Sequence, residues 1–206
     1  MSRSLEYKDS LNGHKGQVRK LSWNPKPCNG AEHMLASARD DTLIVWSCTK
    51  SRWTSKDLKS KEHLRSCAWH PDGLVLAAGD WNHVTLWLYD EAKEEFSVMT
   101  EIHHLNNEEI MSLSWNESGK LLLCCTNKGY IAIIREHMGA YEVSIRMSIG
   151  KNQPVSCAMW TPGSDKFAVA AFNSIQMYGV KDGNEGVEIH EAASINSKKN
   201  NNYHKH

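Results

Sequence analysis

The sequence lacks long hydrophobic runs, an excess of charge of either sign and an apolar stretch near its start. Its longest apolar runs, residues 121–125 and 167–172, are far shorter than the roughly 20 residues of a transmembrane helix. Lys plus Arg and Asp plus Glu number 24 each, and zero net charge disfavours non-specific binding to nucleic acids. The first 30 residues hold no apolar segment of the kind found in secretory signals. These absences predict a cytoplasmic protein, with the nucleus as the second compartment, that neither enters a membrane nor binds nucleic acid.

The sequence also has little that would support metal binding or catalysis. Its six cysteines include no Cys-x-x-Cys pair and are too scattered for a disulfide framework. Four of them fall in apolar segments, where a free cysteine usually acts as a small hydrophobic residue: Cys67, Cys124, Cys125 and Cys157. Neither a Gly-x-Ser-x-Gly sequence nor a phosphate-binding loop is present. We therefore predict free thiols, no metal site, no cofactor and no catalytic residue.

What the sequence does contain is a repeat marked by four tryptophans. Trp23, Trp69, Trp115 and Trp160 are spaced by 46, 46 and 45 residues. An aliphatic residue lies five positions before each of them, and the position two before is Leu, Cys, Leu or Ala. Such alternation of apolar residues is typical of a half-buried strand. We call these four tryptophans the repeat anchors.

Each anchor is followed by the same succession of turns and strands. A turn rich in Pro, Gly or Asn comes first, and an apolar second strand follows it at residues 34–38, 74–78, 121–125 and 167–171. A third strand is predicted at residues 42–46, 84–87, 130–134 and 174–178. In the first three repeats an aromatic residue, Trp53, Phe96 or Tyr141, opens a fourth strand. Four short strands recurring about every 45 residues predict an all-β protein built from the blades of a β-propeller.

The repeat also predicts how the chain is divided. Residues 1–10 form a lead, and residues 11–190 form a propeller segment with blades at about 11–58, 59–102, 103–147 and 148–190. Residues 191–206 are polar and low in complexity, which predicts a disordered tail. A single blade cannot bury both of its faces, so neighbouring blades must stack to complete the core.

These blades resemble the repeats of the WD-repeat family, and the first repeat is the best copy. It contains Gly13-His14, the anchor Trp23, Ser37, Asp40 and the closing pair Val45-Trp46. In that family a His, a Ser or Thr, an Asp and a Trp form a buried hydrogen-bonded network. The resemblance therefore implies a structural network of His14, Ser37, Asp40 and Trp46, although the same residue types superficially resemble a hydrolase triad. The later repeats lack it, with Trp81, Asn127 and Phe172 at the position of Asp40.

A narrower resemblance points to the WD-repeat scaffold of cytosolic iron–sulfur protein assembly. It rests on the aromatic residues that open the fourth strands, on the sequence around Arg65 and Trp69-His70-Pro71, and on residues 76–79. It implies a seven-bladed scaffold without a cluster of its own, whose partners are members of the cluster-targeting complex. A functional arginine of that family would stand where this chain has Thr126 and Asn127, so that site is not carried over. Another scaffold, such as a vesicle-coat or nuclear-pore-type subunit, is the main alternative, and an enzyme is the alternative from a different class.

Two side chains in predicted turns are candidates for partner binding. Arg39 lies in the turn after the second strand of blade one, and Trp81 lies in the matching turn of blade two. An exposed tryptophan is a frequent anchor of protein interfaces, whereas a tryptophan packed on a neighbouring blade would only stabilise the fold. The sequence leaves both interpretations of Trp81 open.

Four blades raise the problem of closure. An open array leaves an apolar blade face at each end, and such patches aggregate or find a partner. Three interpretations follow: a partial gene product, a propeller completed by self-association or by a second protein, or an irregular closed ring of four blades.

Overall fold

Fifteen strands account for the regular structure of residues 9–103, 108–149, 154–163, 165–183 and 186–196, which the computed structural model describes. They form four antiparallel sheets in chain order, so the predicted all-β architecture of four blades is confirmed. Blade one holds β1 (Lys20–Trp23), β2 (His33–Thr49) and β3 (Arg52–Leu64). Blade two holds β4 (Ser66–Trp69), β5 (Val75–Gly79), β6 (Val84–Asp90) and β7 (Glu95–Ile102). Blade three holds β8 (Ile110–Trp115), β9 (Leu121–Thr126), β10 (Tyr130–His137) and β11 (Ala140–Ser148), and blade four holds β12 (Val155–Trp160), β13 (Lys166–Ala171), β14 (Ser174–Gly183) and β15 (Gly186–Asn196).

Blade one contains three strands but has the shape of a four-stranded blade, because β2 turns back on itself and supplies two of the four segments. The backbone at Asp40 is left-handed, with a φ of 42°, a conformation that aspartate tolerates better than most residues. The half of β2 before this turn pairs with β1, and the half after it pairs with β3. The Glu32 N–H donates to the Cys48 carbonyl at 2.7 Å, which ties the two halves together.

The first strands of neighbouring blades run parallel and in register. The Trp69 N–H donates to Ser22 Oγ at 3.2 Å, and one repeat later Trp115 Nε1 donates to the Ala68 carbonyl at 3.2 Å. The turns that follow the anchors are also joined from blade to blade. Asn24 Nδ2 donates to the Gly73 carbonyl at 2.9 Å, and His70 Nε2 lies 3.0 Å from the Gly119 carbonyl oxygen. Equivalent turns of the four blades therefore lie at the same end of the stack.

Glycine is required in two of these turns for two separate reasons. Gly73 has a φ of 82° and Gly119 a φ of 75°, the left-handed region that disfavours side chains. A Cβ at Gly73 would lie 2.1 Å from the Lys26 carbonyl oxygen, and one at Gly119 would lie 2.1 Å from His70 Nε2. The close approach of adjacent turns therefore excludes a side chain at either position.

Three apolar cores lie between the blades, one at each junction. Each takes one face from either blade, because successive side chains of a strand point to opposite faces. Trp69 and Leu76 lie in the core between blades one and two, and Trp115 and Leu122 lie in the core between blades two and three. Phe167 and Val169 face Ile131 and Ile133 in the core between blades three and four.

The described part of the stack is open, because the strands of blade four do not pack extensively on those of blade one. Across the described ranges, no strand of blade one forms an extended contact with a strand of blade four. Of the four repeat anchors, Trp69 and Trp115 are buried and Trp160 is half-buried, whereas Trp23 on the free side of blade one is 59% exposed. Among the described residues, no helix is long and apolar enough to cross a membrane.

Two strands run past the approximate boundaries predicted from the sequence. β3 ends at Leu64, beyond the division drawn after residue 58. β15 pairs with β14 as far as Asn196, so residues 191–196 belong to a strand and not to the predicted disordered tail. Antiparallel pairing with β14 extends the strand through this segment, from the Tyr178–Glu191 pair to the Ser174–Asn196 pair. Residues 1–8 of the predicted lead and residues 197–206 lie outside the described residues.

Candidate interaction surface

One end of the stack carries the turns between the second and third strands of the blades. These are residues 39–41, 80–83, 127–129 and 172–173, and they lie together because the first strands are parallel and in register. We call this end the Trp81 end. The sequence-predicted residues Arg39, Asp40 and Trp81 all belong to it, as does Phe172.

Trp81 stands on a turn that a buried carboxylate holds in place. Asp80 is 1% exposed, and its Oδ1 accepts the backbone N–H groups of Asn82 at 2.9 Å and His83 at 3.0 Å. Its Oδ2 lies 3.1 Å from His83 Nε2. The Asp80 carbonyl accepts the N–H of Ile110 at 2.9 Å, which fastens the turn to blade three. The turn is therefore rigid, while Trp81 itself stays 49% exposed.

Phe172 is a second exposed aromatic residue at this end, and the sequence did not single it out as a binding candidate. It is 80% exposed and has a φ of 51°, a left-handed conformation that is uncommon for a bulky residue. An aromatic residue in a tight turn, at a position where blade one has Asp40, was the signal that could have found it. Strain together with exposure at one position is a pattern that often accompanies function.

Arg39 lies at the Trp81 end but is held against the molecule. Its Nη2 lies 2.7 Å from Asp40 Oδ2, and its side chain is 23% exposed. The guanidinium packs so closely on Gly16 that a Cβ there would lie 2.5 Å from Nη2. Arg39 is thus a weaker candidate for partner binding than Trp81, because a partner would have to displace an existing ion pair.

The hydrogen-bonded network of blade one joins three of its four predicted members. His14 Nε2 lies 2.6 Å from Ser37 Oγ, and Trp46 Nε1 donates to the same oxygen at 2.8 Å. Asp40 lies apart, because its carboxylate pairs with Arg39 and lies 3.7 Å from His63 Nδ1. Ser37 is 3% exposed, so its hydroxyl is inaccessible to a substrate and the arrangement is not that of a nucleophile.

Burial lowers the pKa of His14, and the nearby positive charge of Arg39 lowers it further. The neutral imidazole is therefore the form that the folded state prefers. As the pH falls below the ordinary histidine value near 6.5, the unfolded chain takes up a proton that the folded chain resists. The contribution of this site to stability is present above that pH and decreases below it.

Replacing Ser37 by alanine should lower the free energy of unfolding by about 1–3 kcal/mol, because it leaves the buried Trp46 Nε1–H without an acceptor. Asp40→Asn, outside the hydrogen-bonded trio, should cost under about 1 kcal/mol. Urea titration of both variants measures the difference. Ser156→Ala is the matched control, since that hydroxyl bonds a carbonyl at an exposed position. If Ser37→Ala and Asp40→Asn lower the free energy of unfolding equally, Asp40 belongs to the network after all.

Blade three has a buried polar network that sequence reasoning missed. Glu108 is 4% exposed; its Oε2 accepts the Thr126 hydroxyl at 2.7 Å, and its Oε1 accepts Arg146 Nη2 at 3.1 Å. The Arg146 guanidinium also lies 4.3 Å from the centre of the Tyr130 ring. Thr126 stands at the position for which the resemblance implied a functional arginine, and here it has a structural role.

The central cavity lies between the first strands of all four blades and has a volume of about 390 Å³. Most of its lining residues are apolar or small, and Lys20, Asn116 and Glu117 are the larger polar ones. Burial raises the pKa of Cys67, which borders the cavity, and of Cys124 to about 12, which keeps both thiols protonated and unreactive. Within the described part of the chain, no group of three or more His, Cys, Asp or Glu residues could hold a metal ion.

Comparison with known families matches most of the chain to models of WD repeats. The model of the WD domain, G-beta repeat, matches residues 5–47 and 55–87. The model of the anaphase-promoting complex subunit 4 WD40 domain matches residues 96–163. The matched segments contain the four repeat anchors.

Curated relatives match parts of the sequence. Protein TEX1 of Saccharomyces cerevisiae is 28% identical over 133 residues, 62% of this chain and 31% of that protein. Protein CIA1 of Arabidopsis thaliana is 34% identical over 98 residues, 42% of this chain and 28% of that protein. Protein transport protein sec13 of Aspergillus fumigatus is 30% identical over 90 residues, 42% of this chain and 29% of that protein. The chain thus spans about a third of the length of these relatives.

Among solved structures, the chain is similar to the β-propeller domain of Myceliophteria thermophila Cps50 (Swd1). The TM-score is 0.70 at 19% sequence identity, and the match covers 92% of this chain and 62% of that one. At this identity the likeness concerns the fold alone, and it agrees with the stacked blades described above.

Proposed function

This chain belongs to the WD-repeat β-propeller family, and from that premise we propose that it is a non-catalytic scaffold that binds other proteins. The observation that carries the proposal is the pair of exposed aromatic residues at the Trp81 end. Trp81 is 49% exposed on a turn held by the buried Asp80, and Phe172 is 80% exposed on the matching turn of blade four. Large aromatic side chains on a rigid backbone lose little conformational entropy on binding and are common interface anchors.

The finer proposal is that the scaffold serves cytosolic iron–sulfur protein assembly. It is supported by the resemblance of the sequence around Arg65 and Trp69 to the scaffold of that system, and by the 34% identity to Arabidopsis CIA1 over 98 residues. The partners would then be members of the cluster-targeting complex, and the compartment would be the cytoplasm. The second candidate, a coat-type transport scaffold, is supported by the 30% identity to Aspergillus sec13 over 90 residues.

Affinity purification of the tagged chain from its own cytosol, followed by mass spectrometry, tests this choice. Recovery of cluster-targeting factors or iron–sulfur apo-enzymes would support the assembly role. Coat or pore components would favour the second candidate, and recovery of chaperones alone would contradict both. A useful control is Met138→Ala, because Met138 is 92% exposed and lies in the β10–β11 hairpin, at the opposite end from Trp81.

Replacing Trp81 by alanine should weaken binding of the recovered partner by about 2 kcal/mol, or roughly thirtyfold in the dissociation constant. The fold should persist, because half of this side chain already lies in water. Calorimetric titration of partner into Trp81→Ala and Met138→Ala measures the difference. An unchanged affinity with a lowered melting temperature would show instead that Trp81 packs within the molecule and that the partner binds elsewhere.

A further inference from the structure

The loop that leads from β1 to β2 ties blade one to blade two through an asparagine. It spans residues 24–32 and is longer than the matching loop of blade two, residues 70–74. Asn29 Nδ2 donates to the Tyr89 hydroxyl at 3.0 Å and to the Glu91 carbonyl at 3.4 Å. We call these two hydrogen bonds the Asn29 latch. The latch holds the loop beside a cavity of about 310 Å³ that lies between the two blades.

The asparagine of the latch is followed by a glycine, and the backbone around this pair is open. Asn29 and Gly30 are both exposed and both left-handed, with φ of 51° and 70°. A Cβ at Gly30 would meet nothing within 4 Å, and glycine has the widest conformational range of any residue. Among the described residues, the Gly30 N–H donates to no backbone carbonyl. The Gly30 nitrogen therefore has the freedom to approach the Asn29 side chain.

We propose that Asn29 is a site of spontaneous deamidation and that the reaction releases the latch. The Gly30 nitrogen attacks Asn29 Cγ and gives up its proton. The bond from Cγ to Nδ2 breaks, and Nδ2 leaves with that proton as ammonia. Water then opens the five-membered succinimide ring, which leaves aspartate or isoaspartate at position 29. Water is the one co-reactant that the two steps consume.

The product cannot form the latch, because a carboxylate has no N–H to donate. The Tyr89 hydroxyl can reverse its role and donate to the carboxylate, but the Glu91 carbonyl is an acceptor only and repels it. The surroundings are already acidic: burial raises the pKa of Tyr89, and the carboxylates of Glu94 and Glu91 raise it further. A new negative charge at position 29 adds to this repulsion. Isoaspartate also lengthens the main chain by a methylene group, which distorts the loop.

Asn12–Gly13 is the other Asn-Gly pair of the sequence and provides a matched control. The backbone there is packed, since a Cβ at Gly13 would lie 2.9 Å from the Trp46 ring. We therefore expect Asn12 to react more slowly than Asn29. Asn12 Nδ2 contacts the Ser10 carbonyl two residues away, at 3.4 Å, so its loss does not affect the junction between blades one and two.

Peptide mapping by mass spectrometry, on the full chain incubated at neutral pH, measures the reaction. A synthetic peptide of residues 25–33, incubated in parallel, sets the timescale. Conversion of Asn29 ahead of Asn12 is the expected result. An Asn29 that is unchanged when the peptide has fully converted, or a conversion of Asn12 first, would overturn the proposal.

Asn29→Asp reproduces the aspartate product and tests the release of the latch. The Ala31 N–H donates to the Cys28 carbonyl at 3.1 Å within the same loop. Its hydrogen exchange should become about tenfold faster in Asn29→Asp, as expected for the loss of one or two hydrogen bonds, and should stay unchanged in Asn12→Asp. Both asparagines are exposed, so the variants should fold, and circular dichroism checks that they do. Equal exchange at Ala31 in Asn29→Asp and in the wild-type chain would show that the loop does not depend on the latch, against the proposal.

Discussion

Replacing Phe167 by alanine is expected to unfold blade four while the other blades remain folded. Phe167 is fully buried, stacks on Tyr178 with ring centroids 5.2 Å apart, and meets Trp160 edge-on at 5.5 Å. Truncating a buried phenylalanine costs about 3–5 kcal/mol. Among the described residues, the extended contacts of blade four with other blades are all made with strands of blade three, so the loss weakens the junction that holds it. In a stacked array such a loss at a terminal repeat stays local.

Hydrogen exchange followed by mass spectrometry would localise the effect of this substitution. Protection should fall in β12–β15 and persist in β4–β9. The matched control is Phe172→Ala in the same blade, where an 80% exposed ring contributes little and the change should stay within about 0.5 kcal/mol. A uniform loss of protection over all four blades would mean instead that the stack unfolds as one cooperative unit.

The spacing of the tryptophans was sufficient to predict the blades, because it reflects a local structure, a first strand followed by a turn, that recurs in every blade. Each anchor closes a first strand whose alternate residues face a core, and the turn chemistry that follows it is local. The same signal could not predict the exposure of Trp23. Whether an anchor is buried depends on the blade before it. Trp23 and Trp69 have similar sequence neighbourhoods, yet Trp23 is 59% exposed and Trp69 is 5% exposed.

The candidate site was less predictable, because motif position does not fix the direction of a side chain. Asp40 occupies the motif position of a network member, yet the left-handed turn at this residue directs its carboxylate to Arg39. The repeat pattern could not predict the Glu108–Arg146 ion pair. Its two members lie 38 residues apart, and no other blade has an equivalent pair at those positions. Phe172 was noted only as a departure from the motif, and its exposure emerged with the structure.

Replacing Arg146 by alanine should lower the free energy of unfolding by about 3 kcal/mol, because it leaves the buried Glu108 carboxylate without a counter-charge. Glu108 would keep the Thr126 hydroxyl as a donor, which is insufficient for an ionised group that is 4% exposed. The value lies at the lower end of the range for broken buried pairs, since Arg146 is itself 19% exposed and water can enter in its place. Urea denaturation provides the measurement.

Arg135→Ala is a close control for this effect. Arg135 is 18% exposed and its Nε lies 3.1 Å from Asp182 Oδ1, the same separation as in the Arg146–Glu108 pair. Asp182, however, is 30% exposed, so it can be hydrated once the arginine is gone, and the loss should stay below about 1 kcal/mol. The comparison holds the arginine and the distance constant and changes the burial of the carboxylate.

The double variant Glu108→Gln, Arg146→Ala separates the missing charge from the missing packing. A neutral glutamine still accepts the Thr126 hydrogen bond but needs no counter-ion, so the double variant should be more stable than Arg146→Ala alone. Packing of the Arg146 side chain on Tyr130, at 4.3 Å, is absent from both and cancels in this comparison. Only an unpaired buried charge predicts that neutralising Glu108 restores stability. Two results would therefore show that Arg146 stabilises the fold through its packing and not through the buried carboxylate. One is a double variant no more stable than Arg146→Ala, and the other is an equal loss of unfolding free energy in Arg146→Ala and Arg135→Ala.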